Sequence, residues 1–491
     1  MPAEAGALYS PPAISAGAIL PMKISGLWSR RLPITEDIRG TIFGLMRDIM
    51  PENRIIICVC LLILSPLMAA DDVRAVRPLA DDYIELYRSD DPQNVCAYTP
   101  ALAVCPNGRI AATFELGGSK AAAAVKDAQA GSGKGFAYTS DDHGKSWQYR
   151  TNFPIVHARP LVAGKSLYIL GHHNGKDLKI IRSDDWGNTW TEPVLLTSGQ
   201  NWHASATNVW HKGDFVYCVL EKRTRKVHKG WYVSELAPVL LRANVHDDLT
   251  EPESWTHASE LTFCEAIDDR ELEWFGIPFY DQFYPGKNEV APKRTFHASG
   301  WLEANVVQIL DPDHYWYDPS GRTFHIWLRC HTGVTNIACL AKAVEQEDGS
   351  IKTMLEKAPS GKKMAFVPFP GGHLRFHVVY DKQTKLYWLV NSQSTDSMTR
   401  PELLGPDRHS LAYNQRSRLA LHFSKNMVDW CFAGIVSIGP SERSARHYAS
   451  MLIYRDDLLI LSRSGDLQAK TAHDGNIITL HTVKDFRKLV Y

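Results

Sequence analysis

Two octets constrain the fold of this chain more than any other feature. Ser140-Asp-Asp-His-Gly-Lys-Ser-Trp147 and Ser183-Asp-Asp-Trp-Gly-Asn-Thr-Trp190 share the pattern Ser-x-Asp-x-Gly-x-Ser/Thr-Trp, 43 residues apart. The pattern has a mechanical reading. Ser and Asp side chains bond backbone amides inside a turn. The glycine permits a positive φ, and the tryptophan buries its ring between neighbouring sheets. A period of this length is one four-stranded propeller blade. Ser424-Lys-Asn-Met-Val-Asp-Trp430 is a shorter, degraded third copy, and the stretch from Asn244 ends the same way in Ser254-Trp255.

The rest of the chain agrees with an all-β reading. Strand-like runs rich in β-branched and aromatic residues recur at 110–114, 166–170, 215–220, 323–328, 386–390 and 458–461. Turn residues such as Pro106-Asn-Gly108, His211-Lys-Gly-Asp214 and Asp318-Pro-Ser-Gly321 bound them. No long amphipathic helix is readable; short ones such as Lys120 to Asp127 are the only candidates. Equal numbers of basic and acidic residues, 54 of each, give no global positive field, which excludes nucleic-acid binding driven by bulk charge. A hydrophobic content of 44% is too high for a disordered chain.

The N-terminus is set apart. Arg54, the apolar run Ile55 to Leu64 and the small-residue end Met68-Ala-Ala70 are the parts of an export signal. We therefore expect residues 1–53 to be a non-structural extension or a mis-assigned start, with Met46 and Met50 as alternative starts. Residues 54–70 would be the signal peptide and residues 71–491 one propeller domain, exported to the periplasm or the exterior. The apolar run is too short to span a bilayer comfortably, so no stable membrane span is expected after cleavage; the alternative is a membrane anchor. Beyond the signal, seven cysteines remain. Cys96/Cys105 and Cys330/Cys339 are each nine apart, a spacing that permits a bridge. No Cys/His spacing reads as a metal site, and no nucleotide or cofactor motif is present.

The octets are similar to Asp-boxes, and the chain resembles the sialidase superfamily of six-bladed β-propellers with four-stranded antiparallel blades. That resemblance implies a glycan substrate ending in a sugar acid, three arginines for its carboxylate, a Tyr nucleophile paired with a Glu, an Asp proton donor and no cofactor. Glu303, in Glu303-Ala-Asn-Val-Val-Gln-Ile309, matches the segment of the family's Glu. Arg329 ends the next strand, where the second arginine stands. Arg416, with Arg418 as an alternative, matches the third-arginine segment before the degraded box. Tyr448, in His447-Tyr-Ala-Ser-Met451, matches the nucleophile segment. Two departures follow from the same alignment: Tyr98, in Tyr98-Thr-Pro-Ala-Leu102, stands where the first arginine belongs, and Asp127 is the nearest residue to the acid position.

A second set of residues recurs at comparable blade positions: His203, His297, His331, and His373, Arg375 and His377. Their spacing by two places the last three on one strand face. Arg, His and Tyr together also suit a uronate lyase, in which Arg neutralises the carboxylate and His or Tyr takes the C5 proton. The aromatic run Trp274 to Tyr284 suits a loop that stacks on sugar rings. The expectation is a glycoside hydrolase with Tyr448 and Glu303 as the nucleophile pair, and Arg329, Arg416, His373, Arg375, His203, His297 and Tyr98 as the substrate-binding set. A polysaccharide lyase and a non-catalytic glycan-binding propeller are the alternatives.

Overall fold

A computed structural model describes residues 76–125, 133–203, 205–228, 230–267, 288–405, 408 and 411–491. The expected extension, the export segment, Asp127 and the run Trp274 to Tyr284 lie outside the described residues. What is described is a ring of six antiparallel sheets. Blade 1 runs Cys96–Val104, Ile110–Gly117, Gly135–Ser140, Gln148–Phe153, and blade 2 runs Val156–Ala163, Ser166–His172, Leu178–Ser183, Val194–Leu195. The innermost strand of blade 3 is broken into Trp202–His203 and Trp210–Lys212. Both pieces pair with Phe215–Arg223, and Leu236–Asn244 and Trp255–His257 complete the blade. Blade 4 is Gly300–Val307, Thr323–His331, Ile337–Glu345, Ile351–Met354; blade 5 is His377–Asp381, Leu386–Ser392, Arg418–Ser424, Cys431–Ile438.

Blade 6 closes the ring. Arg446–Tyr454, Asp457–Ser464 and Ile477–Val483 come from the C-terminal end, and Tyr83–Arg88 from the N-terminal end supplies the outer strand. A propeller closed in this way leaves only short sheet edges. The core is a set of apolar layers between adjacent blades, such as Leu170, Leu220 and Leu328 between blades 2, 3 and 4.

Each octet, and the degraded third copy, is a turn between the third and fourth strands of its blade. In blade 1, Ser140 Oγ accepts from Gly144 N–H at 2.8 Å, and Asp142 Oδ1 accepts from Ser146 N–H at 2.9 Å. Blade 2 repeats this with Ser183, Gly187, Asp185 and Thr189 at 2.7 and 2.8 Å. In blade 5, Asn426 replaces the aspartate, accepting from Asp429 N–H at 2.8 Å. His143, Trp186 and Met427 take positive φ at the same step.

One expectation needs correction. Residues 121–124 form a turn, held by Ala124 N–H on Lys120 O at 3.1 Å, rather than the start of a helix. Gly117 and Gly118, the latter at φ +99°, interrupt the chain just before it. The only α-helix among the described residues is Phe263–Ile267. All seven described cysteines are free thiols.

Candidate functional site

Four innermost strands carry the same defect. Pairing with the second strand skips between Tyr98 and Ala101, Val156 and Arg159, Leu302 and Asn305, and His447 and Ser450. Inside each β-bulge one residue is left-handed: Thr99, His157, Glu303 and Tyr448, with φ of 43°, 53°, 59° and 50°. The next residue is Pro100, Ala158, Ala304 or Ala449. A left-handed non-glycine residue costs ~1–3 kcal/mol and persists only where its surroundings impose it. A bulge also re-aims the side chain it carries. Blades 1, 2, 4 and 6 therefore hold Thr99, His157, Glu303 and Tyr448 in equivalent positions beside the axis.

A second set of side chains supports them. On the second strands, Glu115, His172, Arg329 and Arg463 sit directly opposite the residue that precedes each left-handed one. In blade 3, Glu221 is opposite His203. All five supporting residues are buried. The arginines are on blades 4 and 6, the glutamates on blades 1 and 3, so the site has a cationic side and a carboxylate–imidazole side.

On the cationic side, Arg329 Nη1 donates to Tyr448 Oη at 2.6 Å and lies 3.4 Å from Glu303 Oε2. Its Nε donates to His373 O at 2.9 Å. The guanidinium carbons of Arg416, Arg463 and Arg329 lie 5.1, 5.3 and 6.0 Å from the Tyr448 ring centroid. Arg416 is fixed by His447 Nδ1 and Asn414 Oδ1, both at 2.9 Å. The His447 ring is held neutral, because burial and the Arg416 charge push its pKa well below the usual range. A cavity of about 430 Å³ opens here, lined by Trp231, His297, Arg329, His331, Asn414, Arg416, Tyr448 and His473.

Tyr98 lies beneath this group. The Arg463 guanidinium stacks on its ring at 3.8 Å, and its hydroxyl donates to Asp474 Oδ1 at 2.6 Å. Burial pushes the Tyr98 phenol up, so it stays neutral. His473, beside Asp474, is pushed down to about 3 by burial.

The sequence-derived residues thus separate. Tyr448, Arg329, Arg416 and His297 line the cavity, and Glu303 is joined to them through Arg329. His203 stands on the carboxylate–imidazole side, 3.5 Å from Glu221. His373, Arg375 and His377 do not share a strand face. A turn closed by Leu374 N–H on Gly371 O precedes the strand, which starts only at His377. His373 is buried, accepts from Asn336 N–H at 3.1 Å, and presents its carbonyl to Arg329. Arg375 is an axial plug: it donates to Tyr448 O at 2.7 Å, to Pro100 O at 3.4 Å and to Ala206 O, tying blades 6, 1 and 3 together. Burial lowers its pKa to about 10. His377 faces a smaller space of about 200 Å³ lined by continuing inner-strand residues such as Arg159 and Met451.

Sequence reasoning missed Arg463, Glu115 and Glu221. The available signal was a charged residue near the end of an otherwise apolar second strand, as in Leu458-Leu-Ile-Leu-Ser-Arg463. Among the described residues, no group of three or more His, Cys, Asp or Glu side chains is set to hold a metal ion.

No family model and no curated protein matches the chain. Solved structures do. The α-L-arabinanase of Penicillium chrysogenum is 12% identical, with 84% of this chain and 100% of that chain covered, at a TM-score of 0.44. A protein of unknown function from Dyadobacter fermentans is 13% identical over 84% and 99% of the two chains, TM-score 0.47. A Hadza microbial sialidase is 12% identical over 82% and 68%, TM-score 0.48. These are likenesses in the course of the chain; the six blades themselves rest on the strand pairing described above.

Proposed function

We propose that this chain is an exported glycoside hydrolase that acts on a glycan ending in a carboxylate-bearing sugar, in the manner of an exo-α-sialidase. The observation that carries the reading is the grouping of Arg329, Arg416 and Arg463 around the ring of one phenol, Tyr448, at the wall of a cavity on the propeller axis. Three guanidinium groups suit a planar anion through charge-assisted hydrogen bonds. Tyr448 is the nucleophile. A neutral phenol approaches an anionic substrate without charge repulsion, and Arg329 on its oxygen stabilises the phenolate as it forms. Glu303, held by the same guanidinium, takes the phenolic proton. The resemblance of Arg54 to Ala70 to an export signal supports a reaction outside the cytoplasm.

For the lyase alternative, His373 and Arg375 are engaged by backbone groups and neither lines the cavity, whereas His297 and His331 line it beside Tyr448.

The test uses protein beginning at Asp71 and a pool of sialylated and uronate-containing glycans, with products read by mass spectrometry. A released sugar acid carrying the elements of water, absent with Tyr448→Phe, is the expected result. Unsaturated products would overturn it in favour of a lyase, and bound but uncleaved glycan in favour of a binding module.

A further inference from the structure

We propose that His203, oriented by the buried carboxylate of Glu221, is the group that gives a proton to the leaving-group oxygen. The proposal rests on the glycosidase reading above and names the member of the reaction that the sequence left without a residue.

Position is the first argument. In a ring of six blades, blade 3 lies across the axis from blade 6. His203 of blade 3 therefore stands opposite Tyr448 of blade 6. A glycosidase that works through a covalent intermediate needs its nucleophile and its acid on opposite sides of the scissile bond.

The second argument is how the imidazole is held. His203 Nδ1 is 3.5 Å from Glu221 Oε2, and catalytic contacts of this kind tighten when substrate arrives. Glu221 Oε1 accepts from Ala304 N–H at 2.8 Å, so one carboxylate fixes both the imidazole and the bulge that carries Glu303. The carboxylate is 1% exposed and the imidazole 15%. The accessible partner is thus the ring, and Nε2 is the nitrogen not directed at Glu221.

The third argument separates His203 from its neighbour. The His157 ring meets the His203 ring edge-on, with centroids 5.4 Å apart. His172 Nδ1 accepts from Gly175 N–H at 2.7 Å, and burial pushes the His172 pKa down to about 3. A neutral His172 with an accepting Nδ1 carries its proton on Nε2, which lies 3.2 Å from His157 Nδ1. His157 Nδ1 is therefore an acceptor, and that ring holds its one proton on Nε2, 3.7 Å from Glu115 Oε1. The His157 ring is thus taken up by His172 on one side and Glu115 on the other, and His203 is the ring of this group that the proposal assigns as the proton donor.

The step balances. Tyr448 Oη bonds to the anomeric carbon as its proton passes to Glu303. The carbon–oxygen bond to the leaving group breaks, and that oxygen takes the proton from His203 Nε2. Water then attacks the same carbon, returning a proton to His203, and Tyr448 recovers its own from Glu303.

The experiment compares methyl and 4-nitrophenyl glycosides of N-acetylneuraminic acid and of glucuronic acid with the propeller from Asp71. Nitrophenolate leaves without protonation. His203→Gln is expected to lower kcat on the methyl glycoside at least 100-fold and on the nitrophenyl glycoside less than 10-fold. Glu221→Gln should show the same bias in weaker form. Melting curves establish that the variants are folded. Equal losses on both substrates would overturn the proposal, as would the same bias in Asp127→Asn with none in His203→Gln. Should wild-type protein cleave neither series, the glycosidase reading fails first, and imidazole NMR then decides on His203. Among the described residues, the groups facing it are Glu221 and His157, with Glu115 and His172 behind. A ring that takes up a proton between pH 5 and 8, and does so at lower pH in Glu221→Gln, supports the proposal; a ring neutral throughout rejects it.

Discussion

Arg463 lies 3.8 Å above the ring of Tyr98, on the strand beside the one that carries Tyr448. A third guanidinium thus stands 5.3 Å from the centroid of the Tyr448 ring, although it does not itself line the cavity. It comes from the second strand of blade 6, and Tyr98 is its platform. Arg463→Met should therefore weaken binding of a sugar acid by about 10- to 100-fold, in line with ~1.5–3 kcal/mol for a hydrogen bond to a charged group. Titration calorimetry with wild-type and variant protein measures this; unchanged affinity would remove Arg463 from the clamp.

Tyr448→Phe deletes one oxygen and keeps the ring that three guanidinium groups surround. Loss of turnover by about a thousandfold or more is expected, since nucleophilic catalysis and its activated proton are removed together. Affinity for the sugar acid should change less than fivefold. Kinetics and calorimetry on the same preparation separate the two effects.

Arg329→Met should cost stability as well as activity. The guanidinium is buried against Glu303, Tyr448 and the His373 carbonyl. Removing one partner of a buried pair leaves an uncompensated charge, at ~3–5 kcal/mol. Urea unfolding measures it. The double change Arg329→Met with Glu303→Gln should recover part of the loss.

Acid should unfold this protein steeply. Burial pushes His172, His373 and His473 down to about 3, and His481 and His422 to about 4. The unfolded chain binds these protons near pH 6.5 and the folded chain does not, so stability is complete above 6.5 and falls as pH drops toward 3. Each such histidine contributes a slope of ~1.4 kcal/mol per pH unit within its window. Glu115 has the opposite sign: burial raises its carboxyl to about 7. Its folded form keeps a proton that the unfolded form loses near 4.5, so stability declines between 4.5 and 7. Denaturant midpoints from pH 4 to 8 should thus rise to a maximum near 6.5, and Glu115→Gln, by removing the one opposing slope, should steepen the rise between 4.5 and 6.5.

Deleting residues 76–88 should open the ring. The strand Ile477–Val483 would lose Tyr83–Arg88 and become an unpaired edge. A lower melting temperature and concentration-dependent association are expected by light scattering. A monomer with unaltered melting would show that closure by this strand is dispensable.

The second strand of every blade was legible in the sequence. The six apolar runs at 110–114, 166–170, 215–220, 323–328, 386–390 and 458–461 each fall in a different blade, at that position. Such strands are buried on both faces, so they read as continuous hydrophobic runs rather than alternating ones. The outer strands are short and half-exposed, and only the octet turns between them carried a signal. The expected helix at 120–127 had helix-forming alanines, but its described part, 121–124, closes as a single turn directly after Gly117 and Gly118.

Of the site, Tyr448, Glu303, Arg329 and Arg416 were legible because each sits in a local motif whose order along the chain is kept. Arg375 and His373 looked like site residues because alternation by two was assumed to continue upstream of His377. A turn breaks it, and both side chains serve backbone carbonyls and amides instead.

By itself, the sequence determined the blade: its length, its octet turn, its doubly buried second strand and the residue types that flank them. Those are local properties, set within about forty residues by hydrogen bonding in turns and by burial. Which residues meet on the axis was decided only by closure. Tyr448 and Arg329 are 119 positions apart, and Arg463 reaches Tyr98 only because closure sets blade 6 beside blade 1. A left-handed bulge repeated in four blades turns Thr99, His157, Glu303 and Tyr448 to one level. No single segment records that level, because it is a property of the ring.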